Sequence, residues 1–223
     1  MSRRVPATCV LLFVLGAAAL AKTHVITLGK TLNVQWFVTP EKSLPIAVRP
    51  LYVDGKLREF TLGDAHDVTD GSFVVRRAYR INDYLPDDRK KVPIWKWQRG
   101  DWLLVNRRTG NVSAINLPDF DPFYSVVSWY RDYAAYCGMV DDGAKVSALV
   151  VQLGNKKPVL RKPLAAAKTG EQPDSECSAP KWQRDPVRVT FERAGGQALT
   201  VDVRGRSADI AEKPEKEDSA GTQ

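Results

Sequence analysis

Period-two alternation, repeated along the chain, limits its fold more than any other feature. Val187-Arg188-Val189-Thr190-Phe191 alternates apolar and polar residues, and Leu199-Thr200-Val201-Asp202-Val203 repeats the pattern beyond Gly195-Gly196. Successive side chains on a strand point to opposite faces, so this alternation predicts two half-buried strands joined by a glycine turn. Upstream, Leu51-Tyr52-Val53 and Lys56-Leu57-Arg58-Glu59-Phe60 flank Asp54-Gly55, a dipeptide that tolerates positive φ at both central positions of a tight hairpin. The stretches from about Asn33 to Val38 and from Phe73 to Tyr79 also read as strands. Helical periodicity is confined to Leu164-Ala165-Ala166-Ala167-Lys168. The expected fold class is therefore all-β and antiparallel, with little helix.

The first 21 residues follow a different grammar. Arg3 and Arg4 supply positive charge, Cys9 to Leu20 form a short apolar run, and Ala19-Leu20-Ala21 places small residues where a signal peptidase reads. Cleavage is expected before Lys22, because the run falls short of the roughly 20 apolar residues that span a bilayer. Pro6 and Ala7 do not suit a twin-arginine signal, and Cys9 is not at a lipoprotein cleavage site. The mature chain is expected to be exported, periplasmic or extracellular, with no later transmembrane segment. Two cysteines survive the cut, Cys137 and Cys177. In an oxidising compartment such a pair is most simply a disulfide. The rival reading is two separate thiols, with Cys137 a small buried hydrophobe.

The middle of the chain has its own rhythm. Ser125 to Tyr130 and Tyr133 to Val140 read as strands, Asp141-Asp142-Gly143 as a turn, and Val146 to Leu153 as a returning strand; Gly154-Asn155 then leads into Lys157-Pro158-Val159-Leu160. This sequence of elements resembles one blade of a TolB-type (WD40-like) β-propeller, over roughly residues 102–162. Trp102 to Leu117, with its Arg108-Thr109-Gly110-Asn111 turn, would on that resemblance be the inner part of a preceding blade. The resemblance implies a propeller-like meander that contacts protein partners through its loops. Two blades are countable where a propeller needs at least four, so an antiparallel sandwich stands beside a partial propeller as the expected architecture. The organisation expected is a signal peptide (1–21), an N-terminal β region (22–85), a central meander (86–164), a disulfide-pinned loop (165–186), a C-terminal β-hairpin (187–206) and a disordered tail (207–223). From Ala211 onward the chain offers nothing apolar to bury.

Charge is concentrated. Without Arg3 and Arg4 the chain carries 31 basic and 26 acidic residues, and between Arg76 and Arg108 ten Lys or Arg face four Asp. The basic excess therefore lies in that one stretch, where Trp95, Trp97 and Trp102 are interleaved. On an extended backbone Trp95 and Trp97 share a face. Trp95, Trp97, Arg99, Arg107 and Arg108 are thus the candidate binding residues, the indoles stacking on sugar rings or bases while the cations meet anionic groups. The structural alternative is that the indoles are core and the cations guard an edge strand. For an exported chain the expected partner is an anionic envelope polymer, a glycan or an acidic protein, and nucleic acid is the less fitting polyanion.

Catalytic signatures are missing. The sequence has no GxSxG, HExxH, Walker loop or CxxC, and its only histidines are His24 and His66. No metal and no cofactor are expected, since neither histidine has ligand spacing. The segment from Asp64 to Asp70, with His66 and Asp67, reads as an Asp-rich turn, or as the centre of a carboxylate-dependent hydrolase. Trp129-Tyr130-Arg131-Asp132-Tyr133 reads as inward-packing strand aromatics around a turn, or as a pocket wall. The leading functional expectation is a non-catalytic exported or envelope-associated binding protein, followed by an interaction scaffold and then the hydrolase.

Overall fold

A computed structural model describes residues 23–37, 42–82, 95–140, 145–164, 177–192 and 197–211. The expected leader, the helical turn after Leu164, the Asp141-Asp142-Gly143 and Gly195-Gly196 turns and the tail beyond Ala211 lie outside the described residues. Every regular element among the described residues is a strand. The first seven are β1 (Ile26–Leu28), β2 (Leu32–Phe37), β3 (Ser43–Val53), β4 (Lys56–Thr69), β5 (Ser72–Asn82), β6 (Trp95–Asn106) and β7 (Val112–Ile115). Next come β8 (Ser128–Tyr130), β9 (Tyr133–Val140), β10 (Lys145–Gln152) and β11 (Leu160–Pro163). The last four among the described residues are β12 (Lys181–Arg184), β13 (Val187–Phe191), β14 (Leu199–Arg204) and β15 (Ser207–Ile210).

Strands β2 to β6 form a meander closed into a ring. Each pairs antiparallel with the next, and β2 then meets β6 in parallel at Trp36↔Trp97. In an odd-numbered meander the first and last strands point the same way, so its closure has to be parallel. The predicted Asp54-Gly55 hairpin is present between β3 and β4, with φ of 52° and 73° at the two residues, the left-handed geometry that matches strand twist. β1 pairs with the end of β3 and β7 with the end of β6, taking the halves of those strands that β2 leaves.

The stretch read as the start of a preceding blade, Trp102 to Leu117, belongs instead to this ring and its β7 edge. Its side-chain alternation is common to any antiparallel meander, so local pattern does not decide which strands it joins. For the same reason the boundary expected at residues 85/86 falls between two paired strands, β5 and β6.

Two four-stranded antiparallel meanders follow, β8 to β11 and β12 to β15. They face each other as a sandwich. Ala135, Cys137, Met139, Val146, Ala148 and Val150 from the first meet Val189, Phe191, Val201 and Val203 from the second in one buried cluster. The opposite face of the first sheet is buried too, through Ala134, Tyr136, Leu149 and Val151, beneath Trp102 of the ring and Ile115 of β7. Burial on both faces is why β10 reads Ala148-Leu149-Val150-Val151 instead of alternating. The fold is thus three layers, with β8 to β11 in the middle. The loop expected over 165–186 gives way at Lys181 to the edge strand β12, and the expected hairpin gains a further strand, β15, at residues assigned to the tail.

The Cys137–Cys177 disulfide, with Cα atoms 6.4 Å apart, ties β9 to the segment that enters β12. It closes a loop of 40 residues, which chain entropy values at about 4 kcal/mol. Replacing both cysteines by alanine is expected to lower unfolding stability by roughly that amount. Denaturant titration of wild type and the double variant under non-reducing conditions measures the difference, and reductant is expected to bring wild type towards the variant.

Candidate functional site

The geometry of the basic, Trp-rich stretch is set by a bulge. β5 and β6 pair from Ser72↔Asn106 to Asn82↔Trp95, and the register slips between Arg76 and Ala78. Opposite Arg77, β6 carries two residues, Gly100 and Asp101, where regular pairing would put one. An extra residue re-phases everything beyond it. Trp95, Trp97 and Arg99 on one side of the bulge therefore share a face with Trp102 on the other, and with Arg80, Ala78 and Arg76 across the ladder. A Cβ at Gly100 would lie 3.2 Å from Arg77 Cβ and Tyr79 Cδ1, so glycine is what fits this crowded point.

The aromatic residues of this face divide into two groups. Trp36, 4% exposed, lies 3.7 Å beneath the Arg99 guanidinium, 5.6 Å from the Phe123 ring, and donates its indole N–H to Gln98 Oε1 at 3.3 Å. Trp97 is half-buried and meets Phe60 edge-on at 5.0 Å. Trp95, by contrast, is 49% exposed, with the Arg80 guanidinium 4.7 Å from its ring centroid. Pairing of β5 with β4 stops at Phe60↔Ala78, whereas β5 and β6 stay paired out to Asn82↔Trp95. Among the described residues β5 beyond Ala78 thus pairs only with β6, which β2 meets at Trp97, and this ribbon leaves Tyr79 and Ile81 exposed on its other face. Lys96 lies 5.1 Å from the Phe37 ring.

Arg107 and Arg108 are elsewhere. They follow the far end of β6, and at about 3.3 Å per residue the ten residues from Trp97 to Arg107 amount to roughly 30 Å of strand. Arg107 pairs with Asp67 at 2.6 Å and covers the Phe73 ring at 4.8 Å. Arg108 is exposed in the turn to β7. The five sequence-derived residues thus form one group, Trp95, Trp97 and Arg99, and a separate pair. Arg80, Arg76 and Trp36 complete the first group. The first two were legible as period-two partners in Arg76-x-Ala78-x-Arg80, while Trp36 arrives from β2 with no local signal.

Asp64 to Thr69 belong to strand β4 and not to a turn, whereas Asp70 lies in the turn to β5. The ladder breaks between Leu62 and His66, where Gly63, Asp64 and Ala65 bulge out; Gly63 has φ +65°, which favours glycine. His66 stacks on Trp129 at 6.1 Å, and its Nε2 is 2.9 Å from the Arg131 carbonyl oxygen. Asp67 serves Arg107, and Asp64 and Asp70 are exposed. Among the described residues no group of three His, Cys, Asp or Glu side chains is placed to hold a metal.

Beside the ribbon the same face opens into a groove of ≈ 460 Å³, lined by Ile46, Leu62, Arg76, Arg99, Trp102 and Val126, with Asp64 also on its wall. Val126 belongs to the loop between β7 and β8. That loop is pinned to the middle sheet: Tyr136 donates its hydroxyl to Pro118 O at 2.7 Å, and buried Ser125 donates to Cys137 O at 2.7 Å. Arg76 reaches across from the ring and donates Nη2 to Pro122 O in the same loop. Burial, together with the neighbouring Arg99 charge, lowers the Arg76 pKa to about 10, against the opposing pull of Asp101 and Asp121. It remains a cation at neutral pH.

No known family model, curated protein or solved structure matches the chain. The class the coordinates define is therefore architectural: an all-β protein in which a closed five-stranded ring rests on a two-sheet sandwich.

The division of the indoles is testable by stability. Trp36→Ala empties a buried site and is expected to cost about 3–5 kcal/mol. Trp95→Ala, at an exposed position, is expected to stay within about 1 kcal/mol of wild type. Chemical denaturation of both variants checks the contrast.

Proposed function

We propose that this chain is an exported, non-catalytic binding protein that holds an anionic polymer or glycan along the β5–β6 ribbon. The carrying observation is Trp95, an indole half open to solvent with the Arg80 guanidinium against its ring. Exposed indoles offer an apolar plane to a sugar ring, and adjacent guanidiniums meet its carboxylate or sulfate groups. Arg80, Lys96 and Arg99 place basic residues on the ribbon and its base. The disulfide supports an oxidising compartment, hence export. An envelope polymer, a glycan or an acidic protein suits that compartment better than nucleic acid.

The β8–β11 meander keeps the four-stranded antiparallel form of a TolB-type blade, which is the ground for the alternative reading of an interaction scaffold. Burial of both its faces favours a structural task for that sheet, so we prefer the ribbon as the binding element.

Binding of the purified mature protein to alginate across a salt series tests this reading. Affinity is expected to fall as salt rises, because cations on the protein release counterions from the polymer. Trp95→Ala is expected to weaken binding about tenfold, the equivalent of about 1.4 kcal/mol of lost stacking, with circular dichroism unchanged. Absence of binding at low salt, or equal binding by a folded Trp95→Ala and Arg80→Gln double variant, would overturn the assignment.

A further inference from the structure

The groove beside Arg76 carries an inference of its own. A guanidinium taken partly out of water is costly unless an anion accompanies it. Arg76 has no carboxylate in ion-pair contact among the described residues; its partners there are the carbonyl oxygens of Gly100, at 3.4 Å from Nε, and Pro122, with its guanidinium 5.7 Å from the Phe120 ring. A guanidinium offers five N–H donors, and these two carbonyls engage Nε and Nη2. Asp101 and Asp121 act on it only at a distance, while Arg99, on the same face of the ladder, adds a second positive charge to the groove wall.

The rest of the lining has the opposite character. Ile46, Ala47, Leu62, Val126 and the ring of Trp102 make an apolar wall, and the Trp102 indole N–H is buried with no hydrogen-bond partner among the described residues. A volume of ≈ 460 Å³ lies within the range of small-molecule sites, which combine an apolar lining with a few placed polar groups. Asp64 is exposed and contributes a negative charge to the wall, so a ligand with several negative charges is disfavoured.

We infer that this groove is a binding site for an amphipathic organic monoanion, a single carboxylate carried on an apolar body, with the carboxylate between Arg76 and Arg99 and the body against Leu62, Trp102 and Val126. The site stands apart from the ribbon proposed above, because the ribbon's exposed indole, Trp95, is not among its lining residues.

Calorimetric titration with decanoate and with decanol, both below their micellar or solubility limits, tests the inference. Decanoate is expected to bind at one per chain, and decanol, which has the same body without the charge, at least about tenfold more weakly, as loss of a charge-assisted hydrogen bond implies. Val126→Asp places a second carboxylate at an exposed loop position and is expected to weaken decanoate about tenfold or more without altering the thermal melt. Asp64→Asn removes the existing negative charge and is expected to tighten decanoate about two- to threefold. Trp95→Ala is expected to leave decanoate binding unchanged, so failure here and failure of the ribbon are separable. Absence of decanoate binding up to millimolar concentration would overturn the site. So would equal affinity for decanoate and decanol, or indifference of decanoate to both groove variants.

Discussion

Burial of the β9–β10 hairpin on both faces is the constraint on which the other layers depend. One face carries Ala135, Cys137, Ala148 and Val150 toward the C-terminal sheet, and the other carries Ala134, Tyr136, Leu149 and Val151 toward the ring. Neither outer layer can shift without uncovering apolar surface on this hairpin, at roughly 25 cal/mol for each Å² exposed. Its small residues let neighbouring groups approach closely. At Gly138 a Cβ would run into the Leu149 side chain and come within 3.1 Å of the Asp119 carbonyl, whose oxygen accepts the Met139 N–H at 2.8 Å. The loop that roofs the groove is thereby held against the middle sheet by backbone as well as by Tyr136 and Ser125. Through the Pro122 carbonyl this loop also holds the Arg76 guanidinium in place, as recognition of a single carboxylate would require.

The two bulges extend the same logic to the ring. Without the added residue at Gly100–Asp101, Trp102 would fall on the opposite face from Arg99, and Arg76 would have no indole across the ladder. The β4 bulge at Gly63 to Ala65 brings His66 opposite Val74, on the face that meets Trp129. Strand length alone does not bring these groups together; each requires a break in register. Arg76 then joins ring to loop through Pro122, so one cation serves both the packing of two layers and the charge of the groove.

Much of the architecture was legible from local pattern because local pattern causes it. Asp54-Gly55 tolerates the positive φ its turn demands, and the alternation in Val187–Phe191 and Leu199–Val203 matches strands with one buried face. Pairing between distant strands is another matter. The parallel contact Trp36↔Trp97 spans about sixty residues, and nothing near either tryptophan specifies the other. The division of Trp95, Trp97 and Arg99 from Arg107 and Arg108 follows from β6 being one uninterrupted strand of 12 residues, longer than the short strands that composition alone would lead one to expect. In the acidic stretch Asp and Gly, which favour turns, form one at Asp70-Gly71, whereas Gly63 and Asp64 occupy a bulge within the strand.

The ribbon and the groove also differ in what holds them, and that difference bears on how each would work. The groove is bounded on one side by the ring and on the other by a loop with a buried serine and a capped turn, in which Asp121 accepts the backbone N–H groups of Phe123 and Tyr124 at 2.7 and 3.2 Å. The ribbon beyond Ala78 is held by its own ladder and by β2, through the Trp36↔Trp97 pairing, the Trp36–Gln98 hydrogen bond and the contact of Lys96 with Phe37. An open groove with one wall anchored selects by where its charges sit, whereas an exposed ribbon selects by charge density and stacking, which tolerate variation along a polymer. On the two readings proposed above, one face of one sheet would offer two modes of recognition, with Arg99 at the border between them, over Trp36 and on the wall of the groove.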